Sequence, residues 1–265
     1  MNFRVLIKYW RTILVVAEMT LRQQLVDGFV IFTILLQPII IAVLGLFMLK
    51  DKGPDAAMFV VVGSGLTGLW SSLLFVSGNS IDNERWTGTL ESLVALPTPF
   101  EVIVFGKNLA NVVQSLASMA IGYLLAATLF SYSLEIQQPL MFIASLLFLV
   151  VGFISFGLII APFFVMNPSV RHWRNAMEFP VYIICGFLFP IALLPGWTLP
   201  ISYLLPPYWA AVALHGTSTG NAPIEKTLFA WGMMLLFSLV DLLIASRLFK
   251  HMLYKARVDA TLGME

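Results

Sequence analysis

Residues 82–99 read DNERWTGTLESLVALPTP and form the densest patch of charge and turn chemistry in the first half of the chain. Asp82, Glu84 and Arg85 open the stretch and Gly88 interrupts it. Residues 89–96 then carry the spacing of a short amphipathic helix. Pro97 and Pro99 end that helix, because proline has no N–H to donate and disfavours helix at the residue before it. Long apolar runs lie on either side. A short charged helix held between two such runs is suited to gripping something at a membrane surface.

Working outward, the uncharged runs set the fold class. Hydrophobic residues make up 59% of the 265 and charged residues 11%, where a soluble domain carries about a quarter charged. A helix needs about 20 apolar residues to cross a bilayer. The runs are 29–49, 56–81, 108–134, 139–166, one from 179 to well past 194, and 227–246. The reading is an all-α integral membrane protein of six transmembrane helices with both termini on one side, a single domain over 1–265. Pro38 falls inside the first run and marks a kink. No internal repeat, low-complexity tract or flexible linker divides the chain.

Residues 1–28 are punctuated by Arg4, Lys8, Arg11, Glu18, Arg22 and Asp27, unlike a cleaved leader. Leu6, Ile7, Trp10, Ile13, Leu14 and Ala17 recur at helical spacing between basic residues, the pattern of an interfacial helix. Orientation follows from the basic residues. The N-terminal arm, the second and fourth connections and the C-terminal tail hold twelve: Arg4, Lys8, Arg11, Arg22, Arg85, Lys107, Arg171, Arg174, Arg247, Lys250, Lys255 and Arg257. The other side holds three, Lys50, Lys52 and Lys226. Both termini and 82–99 are therefore expected in the cytoplasm, in a cell (inner) membrane. Residues 195–226 interleave Pro195, Pro200, Pro206 and Pro207 with Trp197, Tyr203, Tyr208 and Trp209. They are read as two short re-entrant helices capping the outer face, within an aromatic belt.

Several chemistries are excluded. No G-x-x-x-x-G-K-[ST] loop is present, so the chain should not hydrolyse ATP unaided. Gly63, Gly65 and Gly68 fit G-x-G-x-x-G, but inside an apolar span with no preceding strand. Close helix packing is the better reading. His172, His215 and His251 are placed in three different connections or tails, with no metal-ligand spacing, and an intramembrane serine protease lacks its histidine. Cys185 is alone in an apolar run and reads as a small buried hydrophobe. No cofactor and no nucleic acid is expected on this chain.

Three polar features stand out. Asp241 is the one acidic residue well inside a span, a functional-site candidate by default; its bland alternative is a wetted or paired position near Arg247. Asn108, Asn111, Ser115, Ser118 and Gly122 share roughly one helix face, either a pathway lining or a tight helix seam. Asn167, Pro168, Arg171, His172, Arg174 and Glu178 form a polar elbow, read as a stop-transfer charge cluster or a second contact with a soluble partner.

The run from Asn83 to Glu91, followed by Leu96-Pro97, resembles the cytoplasmic signature of type-2 ABC exporter permeases. Gly186-Phe187-Leu188-Phe189-Pro190, Leu193-Leu194-Pro195 and Leu205-Pro206-Pro207 are similar to the fifth span and outer hairpin of drug-resistance permeases in that family. Trp86 departs from the small or polar residue that many members carry there. The resemblance implies a permease that pairs with a second copy or paralogue and works with two separate ABC ATPase subunits carrying ATP and Mg. It also implies that 82–99 is a coupling helix docking on the ATPase, with Glu84, Arg85, Gly88, Thr89, Leu90 and Glu91 at or near the joint. Asn111, Ser115, Ser118 and Asp241 are the pathway-or-seam candidates. The cargo class it implies is a drug, lipid or lipid-linked glycan. The alternatives are a motor-independent secondary transporter or channel, and a membrane scaffold.

Overall fold

The computed structural model describes residues 3–49, 52–129, 134–167 and 174–258, without the side chains of residues 3, 4, 85, 91, 174, 175 and 256–258. Helices account for nearly all of it, and no strand occurs among the described residues. The helices are α1 (Phe3–Gln24), α2 (Gly28–Met48), α3 (Pro54–Ser71), α4 (Ser80–Trp86), α5 (Leu90–Val94), α6 (Phe100–Leu129), α7 (Pro139–Met166), α8 (Arg174–Ile184), α9 (Leu199–Tyr203), α10 (Pro206–Thr219) and α11 (Ile224–Val258). Five stretches among the described residues are long and apolar enough to cross a membrane: Gly28–Met48, Pro54–Glu84, Phe100–Leu129, Pro139–Met166 and Ile224–Lys255. This is an all-α integral membrane architecture.

The second of these is the centre of the bundle. Its most apolar window is 83% buried, against 28% in the last. Gly63, Gly65 and Gly68 explain how neighbours come so close. A side chain at Gly63 would collide with the Phe187 carbonyl, at Gly65 with Met119 and at Gly68 with Pro38. The glycine pattern is a packing device toward three elements.

Both α2 and the central span contain a π-helical turn, Phe32–Leu36 and Ser72–Ser77. The first has a cause in the sequence: Pro38 cannot donate to the Ile34 carbonyl, so the backbone widens just before it. No proline accounts for the second.

The fifth apolar run is not one helix. It enters as α8, eleven residues long, and breaks after Ile184. Gly186 has φ +71°, which disfavours every residue with a Cβ, and Pro190 begins a non-helical path through the 3₁₀ turns Ile191–Leu193 and Gly196–Thr198. The chain then forms α9 and α10. Pro206 and Pro207 lie in the first turn of α10, where proline is tolerated. They pack in a recess with Leu73, Gly152, Phe153 and Met234, halfway along the bundle. The other end of α10 accepts hydrogen bonds at its Thr217 and Ser218 carbonyls from the Gln138 and Gln137 amides, beside the start of α7. So α10 runs inside the bundle from mid-depth to one end.

The opposite end, called the near end below, collects both described chain ends. Ile81, Leu90, Phe100, Ile103 and Val104 pack there with Leu158 and Ala161 of α7 and Ala245, Phe249 and Met252 of α11, while Val16 of α1 closes one side. Leu6, Ile7, Trp10 and Leu14 of α1 are exposed. The opposite face of α1 packs on α6, with Ile13 and Val16 against Gly106.

Candidate functional site

The 82–99 stretch folds as a helix–turn–helix tip standing on the near-end apolar cluster. Two threonines and one glutamate lock it. Gly88 has φ +70° and turns the chain between α4 and α5. The Thr89 amide donates to the Glu84 carbonyl at 2.9 Å, and the Thr89 carbonyl receives the Leu93 amide at 3.0 Å, starting α5. Thr87 Oγ1 donates to the Asn83 carbonyl at 2.9 Å and meets Thr89 Oγ1 at 2.9 Å. The Glu84 carboxyl group is held from both sides, by Thr89 Oγ1 on Oε2 and Lys107 Nζ on Oε1. Lys107 also donates to the Ser80 carbonyl at 3.2 Å. The ion pair therefore fixes α4 to α6, while Trp86, 73% exposed, and Thr87, Gly88 and Thr89 face outward. The second helix covers 90–94, shorter at both ends than the 89–96 read from the sequence.

Among the expected tip residues, Glu84 and Thr89 are in direct contact. Leu90 is 6% exposed and buried in the near-end cluster. The side chains of Arg85 and Glu91 lie outside the described residues.

The polar stripe on α6 is buried, with Asn111 2%, Ser115 0% and Ser118 1% exposed. It lies along the central span: Gly122 faces Ser64 and Met119 faces Gly65. Asn111 Nδ2 donates to Ser77 Oγ at 2.7 Å, and its Oδ1 receives Gln24 Nε2 of α1. Ser115 Oγ donates back to the Asn111 carbonyl. Asp241 lies on the face of α11 that carries Met234, Ser238 and Ala245, all buried. It is 5% exposed, and its Oδ2 has no hydrogen-bond partner among the described residues.

Two positions read as connections belong inside the bundle. Glu178 is on α8, 6% exposed. Its Oε1 accepts from Gln37 Nε2 of α2 at 2.9 Å, from Ser71 Oγ at the end of α3 at 2.7 Å and from Tyr182 OH one turn along α8 at 2.7 Å. Ser71 and Tyr182 also touch each other, closing a triangle of hydroxyls and carboxyl. Pro168, Arg171 and His172 of the same elbow lie outside the described residues. His215, expected in an outer connection, is on α10 with both ring nitrogens buried. It stacks on Phe59 of α3 at a centroid distance of 3.7 Å, tilted by 9°. The stack walls a mostly apolar cleft of about 680 Å³ at the far end, with Leu188, Phe189, Asp55 and Lys226 on its other sides. The signal for Glu178 was its i, i+4 relation to Tyr182, which puts both on one helix face.

The model of the ABC-2 type transporter family matches residues 6–217. That is most of the chain, from α1 through most of α10. The chain belongs to the ABC-2 type transporter family. It is the membrane-spanning permease component of an ABC transporter. No curated protein matches this permease. The matched region holds the 82–99 tip, the α6 stripe and the Glu178 node, so all three belong to the family's own domain; Asp241 lies beyond it.

Proposed function

We propose that this permease pairs with a second copy or a paralogue to form an export pathway, and that two separate ABC ATPase subunits, carrying ATP and Mg, drive it through residues 82–99. The near end then faces the cytoplasm, as the twelve-to-three distribution of Lys and Arg favours. The cargo class is an amphiphile: a drug, a lipid or a lipid-linked glycan. The observation that carries this reading is the construction of the tip. An exposed surface of Trp86, Thr87, Gly88 and Thr89 is clamped to α6 by the Glu84–Lys107 pair, while Leu90 is sunk in the apolar cluster. A force applied there moves the central span and α6 together instead of bending a loop. Transport then needs only that nucleotide binding bias two conformations with different cargo affinity.

The test is Gly88→Pro. Proline holds φ near −65° and cannot occupy the +70° backbone found at Gly88. The variant should insert and pair normally, yet lose ATP-dependent transport in proteoliposomes by about tenfold, a coupling loss of order 1.4 kcal/mol. Wild-type transport rates in that variant would remove the tip from the mechanism. A motor-independent carrier is the second reading, favoured by the two buried acidic side chains Glu178 and Asp241. Flux in proteoliposomes that contain no ATPase would establish it and displace the first.

A further inference from the structure

The near end holds a polar cavity that the coupling reading does not use. Its volume is about 110 Å³, and it lies where α1, the start of α2, α4 and α6 meet. Gln24 and Ser80 line it at 5% and 6% exposure. Each brings a buried oxygen with no hydrogen-bond partner, Gln24 Oε1 and Ser80 Oγ. The relay from Gln24 Nε2 to Asn111 and on to Ser77 occupies the other end of the Gln24 amide, leaving its carbonyl oxygen as an acceptor. Buried acceptors in native proteins are matched by donors, and here none comes from the described residues.

The charges at this cavity point the same way. Asp27 and Glu84 line it against one cation, Lys107. Lys107 is already committed to Glu84 and to the Ser80 carbonyl. Asp27 uses Oδ1 to cap the Phe29 and Val30 amides and stands exposed at the mouth. The space therefore favours a small cation with several N–H groups. Beside the mouth, Leu25, Val26, Phe29 and Phe32 are exposed in sequence along the junction of α1 and α2. That surface offers apolar cover to hydrocarbon attached to whatever the cavity holds.

We infer that this cavity binds the primary-amine headgroup of a membrane phospholipid, the ammonium donating to Gln24 Oε1, Ser80 Oγ and the Asp27 carboxyl group, with the acyl chains lying over Val26, Phe29 and Phe32. A bound headgroup joins α1 to α4 beside the Glu84–Lys107 pair and so braces the root of the tip. A trimethylated ammonium has no N–H to give and is wider, so it is refused. The inference needs only a bilayer around the chain and is independent of any ATPase.

The experiment uses the full chain in nanodiscs of equal phosphatidylethanolamine and phosphatidylcholine, followed by gentle release and native mass spectrometry of retained lipid. Phosphatidylethanolamine should be enriched roughly tenfold, as expected for donors to a charged group present in one lipid and missing in the other. Asp27→Asn keeps an oxygen for the α2 cap but drops the charge, and should remove most of that enrichment. Glu18→Gln, exposed on α1 and outside the cavity, should leave it intact. Equal retention of the two lipids, or an enrichment untouched by Asp27→Asn, overturns the site. If millimolar ethanolamine raises the melting temperature in detergent as much as phosphatidylethanolamine does, the cavity takes a soluble amine and the lipid assignment fails.

Discussion

Glu84 and Glu178 are both held by several partners, yet the two sites are built on opposite principles. At the near end, Glu84 faces a cation on one oxygen and a threonine hydroxyl on the other, with its side chain 18% exposed. At mid-bundle, Glu178 collects three neutral donors on one oxygen, from α2, α3 and α8. Charge pairing suits a rim where water still screens and solvates. Deep in an apolar bundle a cation brings its own desolvation cost, and neutral donors satisfy the carboxyl group without it. The consequence is mechanical. Glu84 ties its own helix to one other, α6, whereas Glu178 ties its own helix to two, α2 and α3. The node also sits where two helices are irregular: the π turn of α2 ends just before Gln37, and that of the central span begins just after Ser71.

The largest effect is expected from breaking the node. Glu178→Leu strands the Gln37 donor and leaves Ser71 and Tyr182 with little beyond each other, and should cost about 3 kcal/mol of stability. Glu178→Gln keeps an accepting oxygen and should cost about 1 kcal/mol. Denaturant or thermal unfolding in nanodiscs measures both. Equal losses for the two variants would mean that packing, not acceptance, is what Glu178 supplies.

Breaking the tip should cost less and stay local. Lys107→Met preserves the length of the side chain while leaving Glu84 with Thr89 alone, at a cost of about 1.5 kcal/mol. Hydrogen exchange at the amides of residues 80–93 should then speed up by about tenfold. Amides around Ser71 and Tyr182 should keep their wild-type rates. Acceleration at both places would show that the tip and the node are one cooperative unit and that the contrast between them is not real.

The sequence made the tip legible and the node almost invisible, for physical reasons. The tip is local: Gly88 and the two prolines fix the turn and the end of the second helix within a few residues of Glu84. The 139–166 run was legible as well, since an apolar run bounded by Pro139 and Asn167 has few other fates. The node joins residues 141 and 107 positions apart, and nothing local encodes such pairings. Glu178 read as part of a basic elbow because Arg171, His172 and Arg174 precede it. His215 was misplaced for a different reason. The apolar piece 210–214 is too short to span and ends just before it, yet a helix that starts on Pro206 and Pro207 runs on to Thr219 and carries the histidine into the bundle. Gly186 and Pro190 were likewise readable as the end of α8, but the lack of charge across 179–194 suggested a continuous crossing. The shortening of the tip helix to 90–94 needs no further cause than Gly88 on one side and Pro97 on the other.

The smallest effect calibrates the scale. Arg22 and Glu18 pair at 2.7 Å on the outer surface of α1, with side chains 77% and 62% exposed. The geometry is as good as any ion pair one turn apart on a helix, but both groups are already solvated, so little is gained by their meeting. Arg22→Gln should change stability by less than about 0.5 kcal/mol. What small loss it causes should be greater at low salt than at high salt, because added salt screens an exposed pair. The comparison with Lys107→Met then sets an exposed pair within one helix against a pair 13% and 18% exposed that joins two helices and also reaches the Ser80 carbonyl. If Arg22→Gln cost as much as Lys107→Met, exposure would not be what separates them, and the reading of Lys107 as an anchor for the tip would lose its physical basis.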